Sequence, residues 1–162
     1  MKTKNLFPIA AILLALSLQM GLTPLIKIRG VAPDLALIVT LVIVVFNGFD
    51  KFWWLAVAAA YLADIFSGLP FGISMCSFIV AIYAADLLQR RVLTAAGFGV
   101  RAGVVGVGII LYNFLAILGG LWLGGIKLNL NGYIVIGTVC YDLICAILIL
   151  YGFQKIFGQK QV

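Results

Sequence analysis

The chain has 162 residues, 65% of them apolar and only 10% charged, with 18 glycines and a formal net charge of +6. A soluble domain carries about 25% charged residues, so there is too little polar material here to cover a water-facing surface, and too much apolar material for intrinsic disorder. The apolar residues extend over nearly the whole length, which excludes a soluble domain on a single anchor and predicts an all-α, polytopic integral membrane protein forming one domain over residues 1–162.

A membrane-crossing helix takes about 20 residues, and six segments compete for that description. The first, residues 6–26, follows Lys2 and Lys4. Its apolar run exceeds the core of about 7–15 residues of a secretory signal, and no small-x-small cleavage site follows, so it is expected to stay as a span. After the basic loop Lys27-Ile28-Arg29-Gly30, the second segment, residues 33–49, opens at Pro33-Asp34. Proline suits the first turn of a helix, and an aspartate there faces the positive end of the dipole. The third covers residues 51–67.

The second and third segments are short, about 25 Å each at about 1.5 Å per residue. A re-entrant hairpin is the alternative to two spans. It would carry Asp50 and Lys51 to mid-membrane at about 2.5–3.5 kcal/mol each, which favours two short spans with Trp53 and Trp54 at the interface. Gly68-Leu69-Pro70-Phe71-Gly72 is a turn, with two glycines around a proline. The fourth span, residues 69–88, ends before Gln89-Arg90-Arg91. The fifth, residues 102–123, follows Arg101, and the sixth, residues 133–153, precedes Lys155 and Lys160. A polar, glycine-bounded loop over residues 124–132 joins these two.

Six spans put both termini on one side. If that side is cytoplasmic, the inner segments hold Lys2, Lys4, Lys51, Arg90, Arg91, Arg101, Lys155 and Lys160, against Lys27, Arg29 and Lys127 outside. That asymmetry satisfies the positive-inside rule. Basic residues spread in ones and twos between apolar runs are expected to meet anionic lipid headgroups and not nucleic acid.

There is no histidine and no glutamate, which removes histidine-dependent acid/base catalysis and metal or haem sites built on histidine. Cys76, Cys140 and Cys145 fit no metal-ligand or redox spacing and are expected to pack. No Walker loop, nucleophile elbow or paired-carboxylate arrangement is apparent, so neither catalysis nor a cofactor is expected. Gly99 and Gly103, and Gly120 and Gly124, have the spacing that lets helix backbones approach, and are expected to serve packing within the bundle.

The acidic groups are five aspartates. Asp34 and Asp50 lie at span ends, and Asp86 lies four residues before Arg90, the helical spacing for an ion pair. Asp64 falls one turn before the third span ends. There it either accepts bonds from N–H groups freed in the 68–72 turn, fixing an elbow, or faces a partner. Asp142 is expected about 16 Å deep, near the bilayer centre. An intramembrane carboxyl is a functional candidate by default. In an antiparallel hairpin of the last two spans Asn113 lies at similar depth, so Asp142 is expected to bond Asn113, with Tyr112 or Tyr141 nearby, as a structural bond or as part of a ligand site.

Pro33-Asp34-Leu35 opening the second span, Asp64 closing the third, the Gly68 to Gly72 elbow and the Arg90-Arg91 pair together resemble the MreD family, the small polytopic component of the bacterial rod-shape system. Family chains often carry glycine before the aspartate of the third span, where this chain has Ala60 and Ala63. The resemblance implies a non-enzymatic scaffold of the inner membrane, required for rod shape and lateral peptidoglycan synthesis. Its implied partners are a bitopic MreC-like protein and, through it, an MreB-like filament and a peptidoglycan polymerase and transpeptidase. It also implies the six-helix fold of the substrate-binding subunits of energy-coupling-factor importers. The alternative function is therefore that of a vitamin or small-molecule carrier, for which only the 124–132 loop is long enough to act as a lid. Pro33, Asp34, Asp64, Gly68, Pro70, Gly72, Asn113 and Asp142 are the candidate partner-binding or structural residues.

Overall fold

A computed structural model describes residues 6–26, 31–66, 72–92, 97–124 and 132–157. They form six helices, α1 (Leu6–Ile26), α2 (Leu35–Asn47), α3 (Phe49–Phe66), α4 (Ile73–Val92), α5 (Phe98–Gly124) and α6 (Gly132–Phe157). Three of them, α4, α5 and α6, are long and apolar enough to cross a membrane, which marks the chain as a membrane protein. Their outward side chains agree: Trp122, Ile136 and Leu148 are 91%, 66% and 67% exposed, and apolar groups left bare on this scale belong against lipid.

The centre of the bundle is α2. Every residue from Ala36 to Val45 is buried, and among the described residues α2 packs against each of the other five helices. Its run Ile38-Val39-Thr40-Leu41-Val42-Ile43-Val44-Val45 is rich in β-branched residues, which are mediocre helix formers in water. A helix apolar all round is stable when enclosed, and Thr40 hides its hydroxyl by donating to the Ala36 carbonyl at 2.7 Å. With 13 residues, α2 is about 20 Å long, half the length of α5 at 27 residues.

Helix α2 stops at Gly48, whose φ of 84° suits glycine, and α3 starts at the next residue. Phe52, with φ −127° and ψ 16°, breaks α3 one turn after it begins. This puts Asp50 and Lys51 at the exposed corner, with Trp53 and Trp54 55% and 45% exposed just beyond.

Several boundaries differ from the sequence expectation. Pro33 lies before α2 and not in its first turn, and Asp34 is the N-cap. Helix α4 begins at Ile73 and continues through Arg90 and Arg91 to Val92, while α5 begins at Phe98, so Arg101 is inside its first turn. Long basic side chains allow this, because they carry their charge away from the apolar stem. The packing glycines also differ. A methyl group at Gly99 or Gly103 would meet nothing within 4 Å, whereas at Gly108 it would stand 2.8 Å from Leu41 Cδ2 and at Gly119 2.5 Å from Ile73 Cγ2. Gly103 faces outward. Close approach is thus made at Gly108 and Gly119, and not at the spaced pair Gly99 and Gly103. Lys2, Lys4, the 27–30 loop, Gly68, Leu69, Pro70 and Phe71 of the elbow, most of the 124–132 loop with Lys127, and Lys160 lie outside the described residues.

Candidate functional site

The first N–H groups of any helix lack partners inside it, and in a bundle without water those groups must be met by side chains. In this chain the buried acidic groups do that work. Asp64, on the last turns of α3 and only 3% exposed, accepts from the Gly72 N–H at 2.7 Å and the Met75 N–H at 3.1 Å, at the start of α4. Gly72 has φ of 96°, a conformation open to glycine, and it turns its N–H onto the carboxylate. Asp86, on α4 and also 3% exposed, accepts in return from the Phe49 N–H at the start of α3, at 3.0 Å. Each helix of the α3–α4 pair therefore caps the other.

The second Asp86 oxygen accepts from Arg90 Nε at 2.7 Å, and Arg90 Nη2 reaches Asp50 at 2.6 Å. The Asp50 carboxylate is largely exposed, and an exposed ion pair adds little. Asp50→Asn is accordingly expected to leave the thermal unfolding midpoint unchanged, and Asp86→Leu to lower it, because the Phe49 N–H then loses the buried carboxylate that accepts from it. Equal midpoints for the two variants in a detergent melt would refute this division. Around the same end of the bundle, Gln89 Nε2 donates to the Val45 carbonyl of α2 and the Arg101 guanidinium lies 4.5 Å from the centre of the Phe46 ring. A cation beside the last turn of α2 opposes the negative end of its dipole.

The opposite end of α2 gathers polar groups from five helices. Asp34 caps α2 itself, its carboxyl accepting from the Leu37 N–H at 3.1 Å. Gln19 of α1 accepts from the Ala36 N–H at 2.9 Å. Asp142 of α6, fully buried, accepts through Oδ1 from the Asp34 N–H at 2.8 Å. The Asp34 carboxyl also meets the Gln19 amide and the Tyr112 hydroxyl. Tyr112, of α5, in turn has Ser74 of α4 and Asp142 as neighbours. Asn113 stands beside the Asp142 carboxyl, its Nδ2 donating to the Ile109 carbonyl at 3.0 Å.

The geometry thus brings Asp34, Asn113 and Asp142 together, with Tyr112, and sets Asp64 and Gly72 apart as a separate elbow. Pro33 is buried immediately before the first group. Asn113 is a neighbour of Asp142 as expected, but the 2.8 Å bond of that carboxyl goes to a backbone N–H of α2. Gln19 and Ser74 were not singled out from sequence; the signal for Gln19 is an amide inside a span whose other polar side chains are only the hydroxyls of Ser17 and Thr23. Among the described residues no group of three or more acidic or cysteine side chains is placed to hold a metal. Compared with models of protein families, with curated proteins and with solved structures, the chain matches none.

Proposed function

We propose that the chain is a non-enzymatic scaffold of the MreD kind in the inner membrane of a bacterium, with six spans and both termini cytoplasmic. It binds an MreC-like bitopic protein within the membrane and, through it, an MreB-like filament and the peptidoglycan polymerase and transpeptidase of lateral wall growth. The observation that carries this reading is the bond of Asp64 to Gly72 and Met75. The aspartate and the glycine on which the resemblance rests form one hydrogen-bonded unit, and nothing about it suggests chemistry on a substrate. Arg90, Arg91 and Lys155, all exposed, then face the cytoplasm, where anionic headgroups meet them.

The surface proposed for the partner helix is that of the second to fourth helices with the Asp64 to Gly72 elbow; because α2 is buried from Ala36 to Val45, the part of it taken for the test is the outer face of α4. Cys76, Val80, Tyr83 and Leu87 are exposed at helical spacing, and Cys76 and Val80 border a groove of about 670 Å³ between α4 and α5 that ends at Gly119 and Trp122. The test has two readouts. Depletion in a rod-shaped host is expected to give round cells, and photocrosslinkers at Val80 and Tyr83 are expected to trap an MreC-like protein, while those at Ile136 and Leu148 on α6 trap lipid. Normal rods under full depletion would overturn the function, and capture from α6 alone would overturn the surface.

A further inference from the structure

Two buried atoms at the N-terminal end of α2 have no hydrogen bond of ordinary geometry: Asp142 Oδ2 and Ser74 Oγ. Asp142 is fully buried and Ser74 is 1% exposed. They come from different helices, α6 and α4; the Tyr112 hydroxyl meets Ser74 and Asp34 and lies within the electrostatic reach of Asp142. An orphaned carboxylate oxygen in a closed site is costly, and here a second carboxyl, that of Asp34, lies within its electrostatic reach.

The groups around the pair are Gln19 from α1, Asp34 from α2, Ser74 from α4, Tyr112 and Asn113 from α5, and Asp142 from α6, with the thiol of Cys145 in the electrostatic reach of Asp142. No described lysine or arginine is among the neighbours of either carboxyl. The positive end of the α2 dipole amounts to about half a unit charge, less than two carboxylates carry. Two like charges in one closed site do not both stay ionised without a counter-charge. The donors are oxygens throughout the pair, the serine and the tyrosine, which suits a hard, small cation and not a soft metal.

We propose that Asp34 and Asp142, with Ser74 and Tyr112, form an intramembrane site for a small monovalent cation, a sodium ion or a proton. A sodium ion is ligated by Asp142 Oδ2 and Ser74 Oγ between the two carboxyls, whereas a proton is held as O–H on one carboxyl and leaves Ser74 out of the site. Occupancy ties α6 and α4 to the end of the central helix, so the site stabilises the bundle when filled. This inference does not rest on the scaffold reading, because it makes no use of a partner.

The experiment is a thermal melt of the purified full chain in detergent micelles, between pH 5 and 9, in sodium chloride and in choline chloride at equal ionic strength. If sodium is the occupant, the unfolding midpoint at pH 8 rises and saturates with sodium alone. Ser74→Ala then shifts the half-effective sodium concentration up by about tenfold, because the ion loses one of its oxygen ligands, and Asp142→Asn abolishes the response while keeping an oxygen for the Asp34 N–H. If a proton is the occupant, sodium has no effect and the midpoint falls as pH rises, because ionising the second carboxyl sets two like charges together; Asp142→Asn flattens that slope. Either pattern supports the site. A midpoint indifferent to both sodium and pH, or a response retained in full by Asp142→Asn, would overturn it. Binding of radioactive sodium to wild-type and Ser74→Ala protein gives a second readout of the sodium arm that does not depend on the melt.

Discussion

Replacing Asp64 by leucine is expected to destabilise the protein by about 2–4 kcal/mol, because it strips the acceptor from two part-buried N–H groups, each worth about 1–3 kcal/mol when left unpaired. The Gly72 and Met75 N–H groups both point at that one carboxylate. Asp64→Asn keeps one oxygen but turns an amide N–H onto the second backbone donor, so an intermediate loss is expected. Titration of micelle-bound protein with a denaturing detergent reads the difference directly. Unfolding of Asp64→Leu within the error of wild type would show that the elbow between α3 and α4 stands without its carboxylate.

Gly119→Val is the second large effect. Its Cβ would be 2.5 Å from Ile73 Cγ2, and Ile73 is the first residue of α4, buried and β-branched, so it has no free rotamer into which to retreat. Overpacking of this kind costs about 1–3 kcal/mol, and the upper half of that range is expected here. Gly103→Val is the matched control on the same helix: nothing lies within 4 Å of its Cβ, so its stability is expected to stay at or slightly above wild type, since valine is the better helix former. Because Ile73 follows the residue capped by Asp64, Gly119→Val and Asp64→Asn are expected to be non-additive, as neighbours sharing one element are. Equal effects of valine at Gly119 and Gly103 would contradict the packing.

The six helices were legible because each is a long apolar run bounded by charge, glycine or proline. The centrality of α2 was not. A helix enclosed by protein and a helix enclosed by lipid have the same composition, so no count over residues 35–47 separates them. Local relations were readable by spacing alone: Asp86 and Arg90 are four apart on one helix, and Asp64 stands near the N–H groups of its own following turn. Relations across the chain were not, since Asp142 and Asp34 are 108 positions apart and no helical rule connects them. The glycines show the same limit. Spacing singled out Gly99 and Gly103, and Gly120 and Gly124; of these Gly120 is buried while Gly99 and Gly103 are open, and the close contacts fall on Gly108 and Gly119, where the deciding fact is what stands opposite.

The bond from Asp142 to the Asp34 N–H has a consequence for the order of assembly. Residues emerge from the ribosome in sequence, so the central helix is made early, while the carboxyl that closes its leading end belongs to the last helix made. Until residue 142 has been synthesised and its helix has docked, that end of α2 relies on Gln19 and on its own Asp34. The last helix made therefore supplies the closing contact of the central one, and a nascent chain lacking α6 leaves this end of the most enclosed helix without the Asp142 acceptor.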